Sequence, residues 1–227
     1  MKKLLLAVGV CASTLCFGQA NTAGTIHAGL GWGVTLGGAK ITESFTFTSP
    51  LTGTYEETYK GVGANSNYGG SFGYGVADIF SAGLFLRKES AGYLVTDATS
   101  ADSYTIGFSG LGIGLGGKLY AVNKDKFTLY AAPAFGFSTG KARNYDAYDE
   151  ITGKASGLNY GISMGLGWYW AKFIGMYFDM GYGGTSLKVT EWDYLGTPVT
   201  FGSDYKMKIK NGGFYIGLGL AAKFGGK

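Results

Sequence analysis

The segment Phe214–Phe224, near the end of the chain, alternates between apolar side chains and side chains that are small or polar. The apolar series is Phe214, Ile216, Leu218, Leu220, Ala222 and Phe224. Successive side chains of a strand point to opposite faces, so one face of this segment is apolar throughout. A strand of about 11 residues, tilted by about 45°, spans a bilayer. The segment is therefore predicted to be a strand with lipid on one side and a barrel lumen on the other.

Seven further segments show the same period of two. They cover residues 26–36, 68–76, 80–88, 104–119, 127–137, 158–170 and 174–182. Tight connections alternate with long polar segments, and the long ones are 37–67, 89–103, 140–157 and 185–211. An even number of strands with alternating loop lengths is typical of an up-and-down transmembrane barrel. The sequence thus predicts an all-β fold, a single antiparallel barrel of eight strands.

Three local features refine this prediction. The apolar parity changes near Ser109-Gly110, which predicts a β-bulge there. Pro133 cannot donate to a ladder, so a local break is expected around it. The β-rich stretches 45–47 and 55–59 either extend a hairpin above the membrane or add a strand pair, which would give ten strands.

The first 20 residues have the pattern of a secretory signal peptide: Lys2 and Lys3, then an apolar run, then small residues. Cleavage is expected after Gly18 or Ala20, which leaves residues 21–227 as the barrel domain. Both cysteines of the chain, Cys11 and Cys16, lie in this leader, so the mature chain has no disulfide and no thiolate metal site.

The composition argues against several other classes of function. The formal net charge is +4, or +2 without Lys2 and Lys3, which gives no basis for nucleic-acid binding. Gly112–Gly117 matches a dinucleotide-binding pattern but lies within a predicted strand, and such a site needs a strand-to-helix turn. Asp146, Asp149 and Glu150 lack the spacing of a calcium loop, so a solvated loop is expected. No cofactor or metal is predicted.

Aromatic side chains fall at both ends of the predicted strands. Such rings are enriched where a membrane meets water, because they combine an apolar body with a polar tip. The predicted belts contain Trp168, Trp170, Phe173 and Phe224 at the periplasmic rim, and Tyr68, Tyr160 and Tyr182 at the outer rim.

The predicted inner face is rich in glycine, and the chain has 42 glycines in 227 residues. An eight-stranded barrel has room inside for little more than side chains. Two interpretations remain open: the glycines make room for aromatic rings in a filled core, or they line a narrow wet path. Arg87 and Asp179 would set the polarity of such a wet path, or they would form a pair that plugs the lumen. The polar lumen candidates are Arg87, Asp179, His27, Lys118, Lys223, Tyr130, Tyr177 and Tyr215.

Lys118 and Lys223 are expected near the periplasmic mouth, where they are easily solvated. His27 is the one histidine of the chain, and it is expected inside the periplasmic end of the first strand. Without a second histidine or a cysteine, few nucleophile–base pairs can be built. We therefore expect no catalytic residues and no enzyme.

With strands, turns and belts in place, the chain resembles small outer-membrane β-barrel proteins of the OmpA/OmpX/OmpW type, many of which carry the label "porin family". The resemblance is architectural and covers residues 21–227. It implies that Phe224, with Gly219 five residues earlier, is read by the barrel-insertion machinery, although Gly225-Gly226-Lys227 follow the aromatic residue. It also implies periplasmic chaperones, outer-membrane lipid as the surroundings, and a monomer.

The expected function is that of an outer-membrane barrel with a porin-like or structural role. The alternative is an adhesin or ligand-binding barrel that acts through loops 37–67 and 185–211, and an outer-membrane enzyme is a minor alternative. The sequence names no solute, ligand or receptor.

Overall fold

The computed structural model describes residues 20–47, 52–96, 103–145, 150–194, 197–200 and 204–225. The nine strands of this part of the chain are β1 (Ile26–Phe47), β2 (Gly53–Ala77), β3 (Phe80–Thr96), β4 (Ser103–Asn123), β5 (Phe127–Tyr145), β6 (Glu150–Tyr169), β7 (Ile174–Tyr194), β8 (Thr197–Thr200) and β9 (Tyr205–Phe224). In the same residues there is no helix of the length and apolarity that a membrane span requires. The predicted leader, up to residue 19, and Asp146 and Asp149 lie outside the described residues.

Eight of the strands form a closed antiparallel ring. Consecutive strands pair from β1 through to β7, and β9 closes the ring by pairing with both β7 and β1. Ile26 of β1 lies opposite Tyr74 of β2 on one side and opposite Phe224 of β9 on the other. The short β8 pairs with the far end of β7 alone. The prediction of eight strands is confirmed, and the ten-strand alternative is wrong.

The two ends of the barrel differ in their connections. Strand β3 begins three residues after β2 ends, and the β4–β5 and β6–β7 connections are also short. The β4–β5 turn is closed by two bonds between the main chains of Lys124 and Phe127, at 2.9 and 3.2 Å. We call the end of the barrel with these three short connections the turn end, and the beginning of β1 and the end of β9 also lie there. The opposite end is the hairpin end.

The strands are about twice as long as a bilayer crossing requires. Strand β1 has 22 residues and β2 has 25. The four segments predicted as long polar loops are therefore largely strand, which corrects that prediction. The sequence pattern did not reveal these strands because most of their apolar residues point inward, with Val62 and Leu94 as exposed exceptions, so a search for an apolar outer face does not find them.

We divide the barrel where this polarity reverses. The lower barrel, on the side of the turn end, comprises residues 26–36, 66–77, 80–88, 111–123, 127–138, 158–169, 174–184 and 212–224. The upper barrel comprises the remaining strand residues of the ring. The outward side chains of the lower barrel form an apolar belt in which Leu30, Leu115 and Met164 are 67 %, 65 % and 63 % exposed.

The upper barrel is filled by an apolar cluster that we call the outer core. Its members are each at most 8 % exposed: Ala39, Ile41, Ala91, Tyr93, Val95, Ile106, Phe108, Ala142, Ala155, Leu187, Val189, Met207 and Ile209. Tyr59 of β2 packs against them, so every strand of the ring contributes to this core. The upper barrel is thus organised like a water-soluble protein, with apolar residues inside.

The bulge predicted at Ser109-Gly110 is wrong. Strand β4 pairs with β3 without interruption from Leu119 to Ser103. Ile106 and Phe108 point inward into the outer core, whereas Leu111 points outward, so the parity change reflects a change of surroundings along one regular strand. The break expected at Pro133 is confirmed, because the β4–β5 ladder skips from Gly116–Ala134 to Leu119–Ala131.

Candidate functional site

The inside of the lower barrel contains a cavity of about 240 Å³. Glycine and tyrosine provide much of its wall. Its charged and aromatic lining includes His27, Arg87, Lys118, Tyr177, Asp179 and Tyr215. These residues were predicted to face the lumen, and the structure brings them together around one space. The predicted Tyr130 and Lys223 also point inward, at the edge of this group.

The inner glycines make room for the tyrosine rings. A Cβ atom at Gly31 would collide with the hydroxyl of Tyr177, and one at Gly33 would lie 2.5 Å from the ring of Tyr215. Gly165 leaves the corresponding space for Tyr130. Rings from one wall thus lie over bare backbone of another. This geometry favours the interpretation of a largely filled interior.

Asp179 and Lys118 are held by tyrosines. The hydroxyl of Tyr130 donates a hydrogen bond of 2.9 Å to Asp179 Oδ1. The Nζ atom of Lys118 lies 4.2 Å from the ring centroid of Tyr130 and 5.3 Å from that of Tyr177, within the range of cation–π attraction. Lys118 therefore lies among aromatic rings of the interior rather than at an easily solvated mouth, which corrects the prediction for this residue.

Arg87 has a different partner from the one considered in the sequence. Its Nε atom lies 2.7 Å from Oε1 of Glu89, a side chain that is fully buried. Ser138 donates to the other oxygen of Glu89 at 2.9 Å, and Asn159 donates to Ser138 at 2.7 Å. An Arg87–Asp179 pair is therefore not present. Residues two apart on a strand share a face, so the spacing of Arg87 and Glu89 was a signal for this pair.

Polar side chains form a layer between the cavity and the outer core. Its buried members are Thr35, Asn65, Asn67, Glu89, Ser138, Asn159, Thr185 and Asn211. Asn211 accepts a 3.1 Å bond from the amide of Thr185, across the β7–β9 ladder. We call this the polar layer. The polar layer separates the tyrosine-filled interior of the lower barrel from the outer core. The sequence pattern did not reveal this layer.

A second closure lies at the turn end. Asn21, which is fully buried, donates to the carbonyls of Ala77 and Asp78 at 2.7 and 3.1 Å. Its own amide donates to Oδ1 of Asn123 at 2.8 Å. The ring of His27 forms a hydrogen bond of 2.7 Å with Oδ1 of Asn21. The segment before β1 thus closes the lower mouth of the barrel.

The remaining predicted residues lie near the two rims. Lys223 donates to the carbonyl of Asp125 at 3.0 Å, at the turn end. The predicted belt residues point outward and are between 42 % and 57 % exposed: Trp168, Trp170, Phe173, Phe224, Tyr68, Tyr160 and Tyr182. Gly219 faces inward against the ring of Tyr177. The role of Phe224 and Gly219 as an insertion signal stays a prediction.

Two carboxylates face each other inside the hairpin end of the upper barrel. Glu43 lies opposite Glu57 in the β1–β2 ladder, and the hydroxyls of Tyr55 and Tyr59 donate hydrogen bonds to the carboxylate of Glu57. Burial raises the pKa of Glu43, the bond from Tyr205 opposes that shift, and the charge of Glu57 adds to it. Among the described residues, no three His, Cys, Asp or Glu side chains converge as metal ligands.

Comparison with known proteins identifies the fold. No protein-family model matches the chain, and no curated protein matches its sequence. The outer membrane protein OprG from Pseudomonas aeruginosa is similar in structure, with a TM-score of 0.57 at 14% identity, over 92% of this chain and 99% of that one. The N-terminal β-barrel domain of Pseudomonas aeruginosa OprF aligns at a TM-score of 0.40 and 13% identity, over 89% and 98% of the two chains.

The outer membrane protease OmpT from Escherichia coli aligns over 94% of this chain and 100% of its own, also at a TM-score of 0.40 and 13% identity. Alignments at this level of similarity carry no inference about activity. Together with the closed ring of eight antiparallel strands, the comparison with OprG shows the fold: the chain forms an eight-stranded up-and-down barrel, similar in structure to this outer membrane protein.

Proposed function

We propose that the protein is an integral outer-membrane barrel with a structural role, closed along its axis, which holds its hairpin tips away from the membrane. The observation that carries this proposal is the outer core. Seven strands of the ring supply its 13 members, none of which is more than 8 % exposed, and Tyr59 of the eighth, β2, packs against them. A conducting lumen would need a polar, hydrated interior at this level.

The apolar belt supports the membrane location. Large apolar side chains cover the outside of the lower barrel on every strand of the ring, and 42 large hydrophobic residues of the described chain are exposed. A soluble monomer rarely exposes a contiguous apolar patch of more than about 600 Å². The predicted leader and insertion signal belong to the same proposal, because a barrel of this kind has to be exported before it is inserted.

Side chains obstruct the barrel axis at three levels. Asn21 fills the lower mouth, tyrosine rings occupy the interior of the lower barrel, and the outer core fills the upper barrel. The cavity between these obstructions is about 240 Å³, which is room for about eight waters at roughly 30 Å³ each, or for one small solute. This arrangement favours a structural role over a porin-like one.

Conductance of the purified protein in planar bilayers tests the proposal. We expect no discrete current steps from the native protein, with insertion verified by protection of the lower barrel from added protease. The variant Asn21→Gly, which opens only the lower mouth, is expected to stay silent because the outer core remains. Reproducible steps from the inserted native protein would overturn the proposal.

A second candidate function is surface binding through the tip of the β1–β2 hairpin. Phe45, Phe47 and Tyr55 are 40 %, 48 % and 56 % exposed there, and the first two rings pack edge to face at 4.7 Å. Exposed aromatic residues of this kind often anchor protein interfaces. The variant Phe45→Ser/Phe47→Ser should then abolish attachment of cells that display the barrel to an immobilised matrix protein. Val62→Ser, which removes an exposed apolar side chain below the tip, is the matched control.

A further inference from the structure

The ladder registers bring six lysines together on the outer wall of the upper barrel. They are Lys40, Lys60, Lys188, Lys206, Lys208 and Lys210, on the adjacent strands β2, β1, β9 and β7. Lys40 lies directly opposite Lys60 on one side and opposite Lys210 on the other. Lys208 lies directly opposite Lys188. We call this group the lysine patch.

The patch has no internal counter-charge. All six side chains are exposed, and in the described part of the chain none of them makes an ion pair. Lys154, on the next strand, shows the contrast, because Glu191 lies 3.0 Å from it. On the same outer wall Glu56 lies farther toward the hairpin end, opposite Ser44, and it is not paired with the patch.

This arrangement is unfavourable for the isolated protein. Side chains directly opposite each other in an antiparallel ladder have Cβ atoms about 5 Å apart, and like charges at such positions destabilise the sheet. Three such lysine pairs occur here. The mature chain carries a formal charge of only +2 if the leader is removed, so this concentration of charge is local rather than general. An external anion at this position would offset the repulsion.

The position of the patch along the barrel axis, relative to the apolar belt, indicates which anion it binds. On the outer faces of their strands, Lys40 and Lys210 each lie four residues beyond the last large apolar side chain, which is Leu36 on β1 and Phe214 on β9. Four residues span about 13 Å along a strand, or about 10 Å of height after the usual tilt. A headgroup layer is roughly 5–8 Å thick, and lysine side chains reach toward such a layer along their aliphatic stems. The ammonium groups therefore lie at the level of lipid headgroups.

We propose that the lysine patch binds the phosphate groups of an outer-leaflet glycolipid and so fixes one side of the barrel to its lipid surroundings. This inference rests on the proposed membrane location. The patch lies directly above the apolar belt, so one lipid can place its acyl chains on the belt and its phosphates on the lysines. A soluble anionic polymer would gain the charge contacts but not the apolar ones.

The test uses the full-length protein in nanodiscs of phosphatidylcholine alone, with a diphosphorylated glucosamine glycolipid, or with the same glycolipid after removal of its phosphates. The variant Lys40→Gln/Lys208→Gln/Lys210→Gln should bind the diphosphorylated glycolipid on the order of 100-fold more weakly than the native protein. The control Lys124→Gln/Lys126→Gln/Lys172→Gln, which removes the same charge at the turn end, should bind it like the native protein.

Thermal unfolding provides a second readout, because the difference in melting temperature between variant and native protein should reverse when the glycolipid is present. In phosphatidylcholine alone, the patch variant should melt at a higher temperature than the native protein because the repulsion is relieved. With the diphosphorylated glycolipid it should melt at a lower temperature.

Equal binding by variant and native protein, or equally tight binding of the dephosphorylated glycolipid, would overturn the inference. So would binding of dextran sulfate as tight as binding of the glycolipid. A native protein that enters no bilayer would overturn the membrane proposal as well, whereas insertion without discrimination overturns this inference alone.

Discussion

The lower and upper barrels are two stretches of one continuous sheet with opposite polarity. In β3, Leu84 points outward from the lower barrel and is 56 % exposed, whereas Val95 points into the upper barrel and is fully buried. The ladder between these two residues has no bulge on either side. Strand geometry is thus the same throughout, and the difference lies in which face is apolar. We attribute the reversal to the surroundings, with lipid outside the lower barrel and water outside the upper one.

The largest effect is expected from a charge placed in the outer core. Ile41 is fully buried, and Ile41→Asp puts an unpaired carboxylate among apolar side chains. We expect a loss of about 4 kcal/mol or more in the free energy of unfolding. The neighbouring Thr42→Asp, on the outer face, should cost less than about 0.5 kcal/mol. Urea unfolding of the barrel in lipid vesicles measures both, and similar losses for the two variants would contradict the assignment of the core.

The next effect comes from a charge on the outer face of the lower barrel. Leu218 is 52 % exposed on the apolar belt, and Leu218→Arg should cost about 2–4 kcal/mol if that face meets the middle of a bilayer. The same arginine at Thr105, on the outer face of the upper barrel, should be nearly neutral. Folding titrations in vesicles compare them. An arginine tolerated equally well at both positions would remove the distinction between the two regions.

A smaller effect should follow from filling the space under a tyrosine. A Cβ atom at Gly31 collides with the hydroxyl of Tyr177, so Gly31→Ala forces this ring to move and should cost about 1–3 kcal/mol. Gly92→Ala is the matched control, since nothing lies within 4 Å of its added methyl group. Near-ultraviolet circular dichroism reports the ring displacement. An unchanged tyrosine signal together with native stability in Gly31→Ala would contradict the packed interior.

The smallest effect is a pH dependence confined to the upper barrel. Burial raises the pKa of Glu43 above its ordinary value near 4.5, so the folded protein holds this proton more tightly than the unfolded chain. Stability should therefore fall as the pH rises from about 4.5 through the raised pKa. Glu43→Gln should remove this slope, which thermal melts between pH 4 and pH 8 would show. A slope that persists in the variant would assign it to other groups.

The lower barrel could be predicted well because its outer face repeats one simple pattern. Eight apolar series of period two, separated by tight turns and long segments, leave few topologies open. The inner face was predictable in kind as well, since glycine opposite tyrosine indicates rings packed on bare backbone. Contacts between strands were harder, because Tyr130–Asp179 depends on which residues of β5 and β7 reach across the lumen.

The sequence pattern of the upper barrel resembles that of loops because its apolar residues lie mainly on the inner face of the strands, whereas those of the lower barrel lie on the outer face. Ile41 and Met207 are flanked by polar residues that point outward, and that pattern resembles a polar segment when an apolar outer face is sought. The parity change at Ser109-Gly110 was the visible sign of the boundary, and it was interpreted as a bulge. The lysine patch was unpredictable for another reason: Lys40, Lys60 and Lys210 are far apart in sequence, and only the ladder register brings them together.

The most direct test of the reversal is an accessibility scan along β9. Single cysteines at the outward positions from Leu220 to Lys206 are spin-labelled in vesicles, and their collision rates with oxygen and with a water-soluble nickel complex are compared. Leu220→Cys, Leu218→Cys and Ile216→Cys should favour oxygen, whereas Lys208→Cys and Lys206→Cys should favour nickel, with one crossover between Phe214 and Lys210. A profile that favours the same reagent along the whole strand would contradict the account.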